Sequence, residues 1–311
     1  MPSWLPFGHT LRMSRHTVSR AAAPTPSVDT VAAMRIATFN LLHGISPRTG
    51  RATEADLRGA VADLEADVVG LQEVDHGQDR SAGIDQTAVV ADELAAPYWR
   101  FVPAVLGTPG PVRTWTAAAD GEPMPGVASY GVGLVSRHPV LAWHVLRFPA
   151  APGRVPLLVP GDPPRLARIP DEPRAAVAAV VQAPFGPVTV ITAHLSFVPG
   201  FNIAQLRRLT RWASDLPGPH LLIGDFNLPG LVPWLVTGWT PLACVPTYPA
   251  PRPRVQLDHV LGRGVGLEAV RAVSARDRDI SDHRALVVDL ELAAVAGRSA
   301  RDLGGHRSAA G

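Results

Sequence analysis

The 311-residue chain has no lysine, and all 29 of its basic residues are arginine. That excludes chemistry run through a lysine amine, whether a Schiff base or a Gly-Lys-Ser/Thr phosphate loop. It has a single cysteine, Cys244, which excludes an intramolecular disulfide and a cysteine-held metal cluster; a reducing interior and a packed thiol are expected. No apolar run reaches the ~20 residues of a membrane span, and residues 1–33 scatter Arg, Pro and Ser without the continuous apolar segment of a secretory signal. A cytoplasmic location is therefore expected. Strong charge is lacking too. The formal net charge is +2. Arg12, Arg15 and Arg20 against Asp29 at the front, and Arg298, Arg301 and Arg307 against Asp302 at the end, give each tail two positive charges. The segment between them is left slightly negative, without the basic footprint of a protein that grips a polyanion through many phosphates.

What is present is a globular composition, 46% hydrophobic and 18% charged, long enough for one large α/β domain. That domain is expected over residues 34–295, with a disordered extension at 1–33 and a disordered tail at 296–311. Met34 to Asn40 alternates as a first strand should, and Thr53 caps a helical spacing of apolar residues at 57, 60, 61 and 64. Asp67 to Leu71 reads as a buried strand, Asp85 starts a second helix, and Arg174–Val181 with Val188–His194 reads as a hairpin. Asn202 to Leu216 has the apolar spacing of an amphipathic helix leading into the run His220-Leu221-Leu222-Ile223. The Gly- and Pro-bearing stretch 107–129, with Trp115 and Met124, is expected to be an irregular loop of the kind where specificity is built, and 149–173 a second irregular loop.

Polar residues punctuate the ends of these strands. Gly224-Asp225-Phe226-Asn227 sets a carboxylate and an amide two residues apart at a sheet edge. Around it in the sequence stand Thr38-Phe39-Asn40, Leu71-Gln72-Glu73-Val74-Asp75, Thr192-Ala193-His194-Leu195-Ser196, Gln256-Leu257-Asp258-His259 and Ser281-Asp282-His283. Each is weak alone; six in one order are specific.

The set resembles the endonuclease/exonuclease/phosphatase superfamily of metal-dependent phosphoesterases, deoxyribonuclease I and the sphingomyelinases among them, over roughly Met34 to Leu292. The resemblance implies a four-layer α/β sandwich (α+β in content), in which two face-packed, mostly antiparallel β-sheets are flanked by helices. It implies Glu73 as principal ligand of Mg²⁺ or Mn²⁺, with Asn40 in support and Asp282 beside them; hard oxygens suit these ions. Asp258 would orient His283, and Asp225 with Asn227 would position water and a phosphate oxygen, with Asp225 and His283 both open as the group that activates the water. His194 falls on the branch that carries His there, where a cationic imidazole would stabilise charge or protonate the leaving oxygen. Arg174 resembles a phosphate-facing arginine, and Arg80 is a further phosphate contact.

Hydrolysis of a phosphodiester or phosphomonoester is the function these residues imply, in a protein expected to act as a monomer on a nucleic acid, a lipid headgroup or a small phosphodiester. A nuclease is the first form of that reading, although the near-neutral core speaks against it. A sphingomyelinase- or phospholipase C-like phosphodiesterase is the second. A binding module that kept the fold and lost catalysis would show a replacement at Glu73, Asp225, Asn227, Asp258 or His283, and none is replaced.

Overall fold

The computed structural model describes residues 31–51, 53–110, 114–119, 126–159 and 165–293. The expected disorder of residues 1–30 and 296–311 lies outside that range, as does Met124. In chain order the elements are β1 (Val31–Asn40), α1 (Glu54–Ala62), β2 (Val68–His76), α2 (Gln86–Glu93), β3 (Tyr98–Leu106), β4 (Thr116–Ala117), β5 (Ser129–Ser136), β6 (Val140–Phe148), β7 (Arg154–Val159) and β8 (Arg165–Pro170). They continue with β9 (Arg174–Ala183), β10 (Gly186–His194), α3 (Phe201–Ala213), β11 (His220–Asp225), α4 (Val232–Thr237), β12 (Thr240–Pro241), β13 (Asp258–Arg263), β14 (Val270–Arg276) and β15 (Ala285–Ala293). β1 starts three residues ahead of the expected Met34, because Val31 to Ala33 pair with the end of β15.

Two sheets face each other, one in the order β14-β15-β1-β2-β5-β3-β4 and the other β12-β13-β11-β10-β9-β6. Strand alternation builds the layers. Met34 and Ile36 of β1, with Val177 and Val190 of β9 and β10, point into the core between the sheets. The alternate residues Ala37 and Phe39 pack outward on Leu57 and Val61 of α1 and Val90 of α2. On the other sheet, Ala178, Ile191 and Leu222 pack outward on Leu206 and Leu209 of α3. Each such fully buried Leu, Ile or Phe contributes roughly 1.5–3 kcal/mol over exposure. The result is the four-layer sandwich.

Most neighbours are antiparallel, and each sheet has one parallel pair: β1 with β2 and β10 with β11. Parallel strands need a crossover; α1 supplies the first and α3 the second. Parallel alignment also brings both C-terminal ends of each pair to the same edge, and those ends hold Asn40, Glu73, His194 and Asp225.

Two local expectations change. Residues 149–173 contain a separate two-stranded hairpin, β7 with β8, rather than an irregular loop. Cys244 is exposed, not packed. Trp115 is buried in the core between the sheets, where it packs. No helix among the described residues is long and apolar enough to cross a membrane.

Candidate active site

Backbone irregularities aim the side chains at the sheet ends. The β2–β5 register shifts between Leu71 and Val74, and Glu73 inside that bulge has φ 53°; a bulge re-aims a side chain that regular pleating would send to the helical face. Gly224 has φ 142°, and a Cβ there would stand 2.0 Å from the carbonyl oxygen of Ala193, so only glycine lets β11 lie this close to β10 beside His194 and Asp225. Asn227, at φ 50°, closes a tight turn in which its N–H donates to Asp225 Oδ1 at 2.9 Å. Beneath the site, buried Gln72 spans the sheets. It accepts from Thr38 Oγ1 at 3.2 Å and donates to Thr192 Oγ1 at 2.8 Å.

All of the sequence-predicted residues except Asn40 and Asp258 line one cavity of about 510 Å³, and those two sit directly behind it through hydrogen bonds. Asp225 is the hub. Its Oδ2 accepts from Asn40 Nδ2 at 3.0 Å and stands 3.6 Å from His194 Nε2 and 3.8 Å from His283 Nε2. Asp258 Oδ2 accepts from His283 Nδ1 at 2.8 Å, and the hydroxyl of buried Thr247 accepts the N–H groups of Leu257 and Asp258, both at 3.3 Å. The segment before β15 is tied to β1, since Ser281 Oγ donates to Asn40 O at 2.7 Å and accepts His283 N–H at 3.0 Å. Arg174 donates to His194 Nδ1 at 3.0 Å, which leaves the imidazole proton on Nε2, facing Asp225. Asn227 Nδ2 donates to Leu195 O at 3.0 Å and lies 3.3 Å from His194 Nε2.

Burial and charge set the protonation states. His194 is held well below the ordinary histidine range by burial and then by the Arg174 charge, so the cationic imidazole expected there is corrected to a neutral one, with Arg174 as the cation beside it. Burial opposes charge on His283, but Asp258 and then Asp225 overcome it and push the ring up to about 10. Asp225 is raised to about 6, chiefly by burial, with Asp258 adding. Glu73 is raised to about 7, chiefly by burial, with the Asp282 charge adding. Asp282 is itself raised by burial.

Two groupings could hold a cation. Ligand atoms of Asp225, Asp258 and His283 lie within 4.8 Å of one another, but a ligating histidine must be deprotonated, and this one is a protonated, hydrogen-bonded partner of Asp258. The second grouping fits better. Glu73 and Asp282 offer hard oxygens to the cavity, and both carboxyls are raised chiefly by burial, the cost of an acid out of water with no cation beside it. Asn40 sits between the two groupings, donating from Nδ2 to Glu73 Oε1 at 3.1 Å as well as to Asp225, while its Oδ1 accepts Leu42 N–H at 3.0 Å. In this orientation it ties carboxylates together; serving a cation through oxygen requires a half-turn of the amide.

Arg80 is brought to the cavity wall, held there by Asp75. Four lining residues with titratable side chains fall outside the sequence-predicted set: His43, Tyr130, Glu172 and Tyr248. His43 lies in a turn with φ 60° and faces Glu73 Oε2 at 3.6 Å, and the Tyr248 ring stands 4.9 Å from that of His283. Proximity in sequence to Asn40, to the Gly131 strand and to Arg174 was the available signal for the first three.

Residues 37–283 match the model of the Endonuclease/Exonuclease/phosphatase family. Among proteins with curated descriptions, none matches this chain by sequence. Solved structures share the fold at low identity. An endonuclease/exonuclease/phosphatase from Beutenbergia cavernae aligns over 86% of this chain and 73% of its own, with TM-score 0.58 and 23% identity. A family protein from Leptotrichia buccalis covers 83% and 100%, with TM-score 0.55 and 14% identity. A mannosyl-6-phosphatase from Bacteroides thetaiotaomicron covers 82% and 98%, with TM-score 0.50 and 14% identity. The family match runs from within β1 to His283, so it takes in the whole of the site just described, and the chain belongs to the endonuclease/exonuclease/phosphatase family, whose members are phosphoesterases.

Proposed function

We propose that the protein hydrolyses a phosphate ester with an activated water and a divalent cation, Mg²⁺ or Mn²⁺. The observation that carries this is the meeting of Asp225 with the Asp258–His283 pair, His194 and Asn40 at one cavity wall, next to the carboxylates of Glu73 and Asp282. Glu73 and Asp282 would hold the cation, with Asn40 in support, and when bound it supplies Lewis-acid neutralisation of phosphoryl oxygens.

The chain's own residues account for the remaining requirements. Asp225, with a pKa near working pH and a cationic imidazole beside it, is the proton acceptor for the attacking water. His283, protonated and oriented by Asp258, keeps that carboxylate ionised and compensates its charge until the proton arrives. Arg174 and Asn227 hold a phosphoryl oxygen, and Arg80 contributes a second guanidinium. Neutral His194 presents Nε2–H to the departing or phosphoryl oxygen. Hydrolysis of p-nitrophenyl phosphate or bis-p-nitrophenyl phosphate is expected with Mg²⁺ and absent after chelation; activity undiminished in metal-free buffer would sink the reading.

Between substrate classes, the cavity is of small-molecule size, and the slightly negative net charge of the chain between its tails does not favour a polynucleotide. A lipid ester is the second reading, favoured by Leu231, Trp234 and Leu235, which are 50%, 43% and 71% exposed at and just before α4, directly after the Asn227 turn. Faster cleavage of an ester in vesicles than of its soluble analogue would support it, and equal rates would remove it.

A further inference from the structure

The cavity holds a guanidinium arranged differently from Arg174. Asp75, whose side chain is 0% exposed, accepts from Arg80 Nε at 2.8 Å and Nη2 at 2.7 Å. Asp75 is itself fixed, since its N–H donates to Gln86 Oε1 at 2.8 Å. The guanidinium carbon stands 5.7 Å from the centroid of the Tyr130 ring, a cation–π distance. One edge of the fork is thus locked from behind. Nη1 makes no protein hydrogen bond among the described residues, and Arg80 and Tyr130 both line the cavity with Glu73 and Arg174. An ion pair serving structure alone has no need to present its free edge to the cavity that holds the rest of the site.

We propose, resting on the phosphoesterase reading above, that Arg80 is a third anchor for the phosphoryl group and that the substrate is a small phosphate monoester. A monoester phosphate has three terminal oxygens and carries about two negative charges at neutral pH; a diester has two such oxygens and one charge. The cavity presents three separate sets of partners: the cation-binding carboxylates Glu73 and Asp282, then Arg174 with Asn227, then Arg80. Three sets match three oxygens. On a diester, the third set would face an esterified oxygen that carries a carbon substituent and no charge, so the planar fork would lose its charge-assisted hydrogen bonds. Asp75 is then a positioning residue that acts through Arg80.

The test is calorimetric binding of inorganic phosphate and of dimethyl phosphate to the full chain in Mg²⁺ buffer, in wild type, Arg80→Gln and Asp75→Asn. Phosphate is expected to bind wild type at least about tenfold more tightly than dimethyl phosphate, and Arg80→Gln to remove about tenfold from phosphate while changing dimethyl phosphate little, as loss of one charged hydrogen bond predicts. Asp75→Asn should weaken phosphate part-way and leave dimethyl phosphate unchanged. Equal loss on both ligands in Arg80→Gln, or no loss on either, overturns the anchor. Arg80→Lys keeps a charge for Asp75 without the fork, so if Arg80→Gln does not fold, the same ratio in Arg80→Lys decides. Hydrolysis separates the two readings. A higher kcat/KM for bis-p-nitrophenyl phosphate than for p-nitrophenyl phosphate overturns the monoester assignment and leaves the phosphoesterase reading intact. Cleavage of neither removes that reading, while the binding ratio still decides the anchor.

Discussion

The two sheets bring opposite kinds of chemistry to the same cavity. The side built on β9, β10, β11 and β13 is internally wired: Arg174 donates to His194, Asn227 to Leu195 O, and Asp258 holds His283 across the gap. The cation side, Glu73 of β2 with Asp282, is under-partnered among the described residues. There Glu73 has one hydrogen bond, from Asn40, and its carboxyl and that of Asp282 are both pushed up chiefly by burial. A polar group satisfied within the protein is pre-organised for its task, whereas an under-satisfied carboxylate pair is strained until something positive arrives. The Asp282-His283 peptide joins the halves, sending its carboxylate to one and its imidazole to the other.

If the wired half performs the proton transfers, Asp225→Asn, which keeps the shape of the hub, should lower kcat by on the order of 10²–10⁴ while the protein stays folded. A loss below tenfold would move the acceptor elsewhere. His283→Ala should cost a similar factor with every leaving group. His194→Ala should cost less on a p-nitrophenyl ester than on an alkyl ester, because a good leaving group needs little hydrogen-bond stabilisation of its departing oxygen; rescue of His283→Ala alone would mean that the imidazoles have exchanged roles.

The raised groups of both halves should show themselves in stability. Glu73 is raised from 4.5 to about 7 and Asp225 from 3.8 to about 6, so their favourable protonated forms are fully present below the unfolded values and lost as pH rises through the folded ones. His283, raised from 6.5 to about 10, works in the same direction between those values. Metal-free protein should therefore melt lower at pH 8 than at pH 5, and Mg²⁺ should raise the melting temperature more at pH 8, where protons no longer compete for the carboxylates. A larger Mg²⁺ effect at pH 5 would contradict this. The smallest effect concerns the tie between the halves: Gln72→Leu, which strands Thr192 and Thr38 in the core, should cost about 1–3 kcal/mol in denaturant unfolding.

Much of this was legible in the sequence because it lay in strands. Alternation gave β1 and the β9–β10 hairpin, and Asn40, Asp225, Asp258 and His283 stood out because they close or open apolar runs, which sets them at sheet edges; the ordered set's resemblance to a known family then supplied their roles. What stayed hidden depends on chain reversals and charge environments. His43 and Glu172 reach the cavity from turns whose direction no periodicity encodes. Residues 149–173 read as a loop because Pro and Gly obscured the β7–β8 pairing. The neutral state of His194 could not be read without knowing that its ring is buried and that Arg174, twenty residues earlier, sits against it.

The division of labour between the halves is tested most directly by titrating Mg²⁺ calorimetrically into metal-free protein at pH 8, in wild type, Glu73→Gln and His194→Ala. Glu73→Gln should bind Mg²⁺ at least about tenfold more weakly than wild type, as expected when a principal carboxylate ligand is lost, and His194→Ala should bind like wild type. An unchanged isotherm in Glu73→Gln, or a loss in His194→Ala as large as in Glu73→Gln, would contradict the assignment of the cation to the side of Glu73 and Asp282.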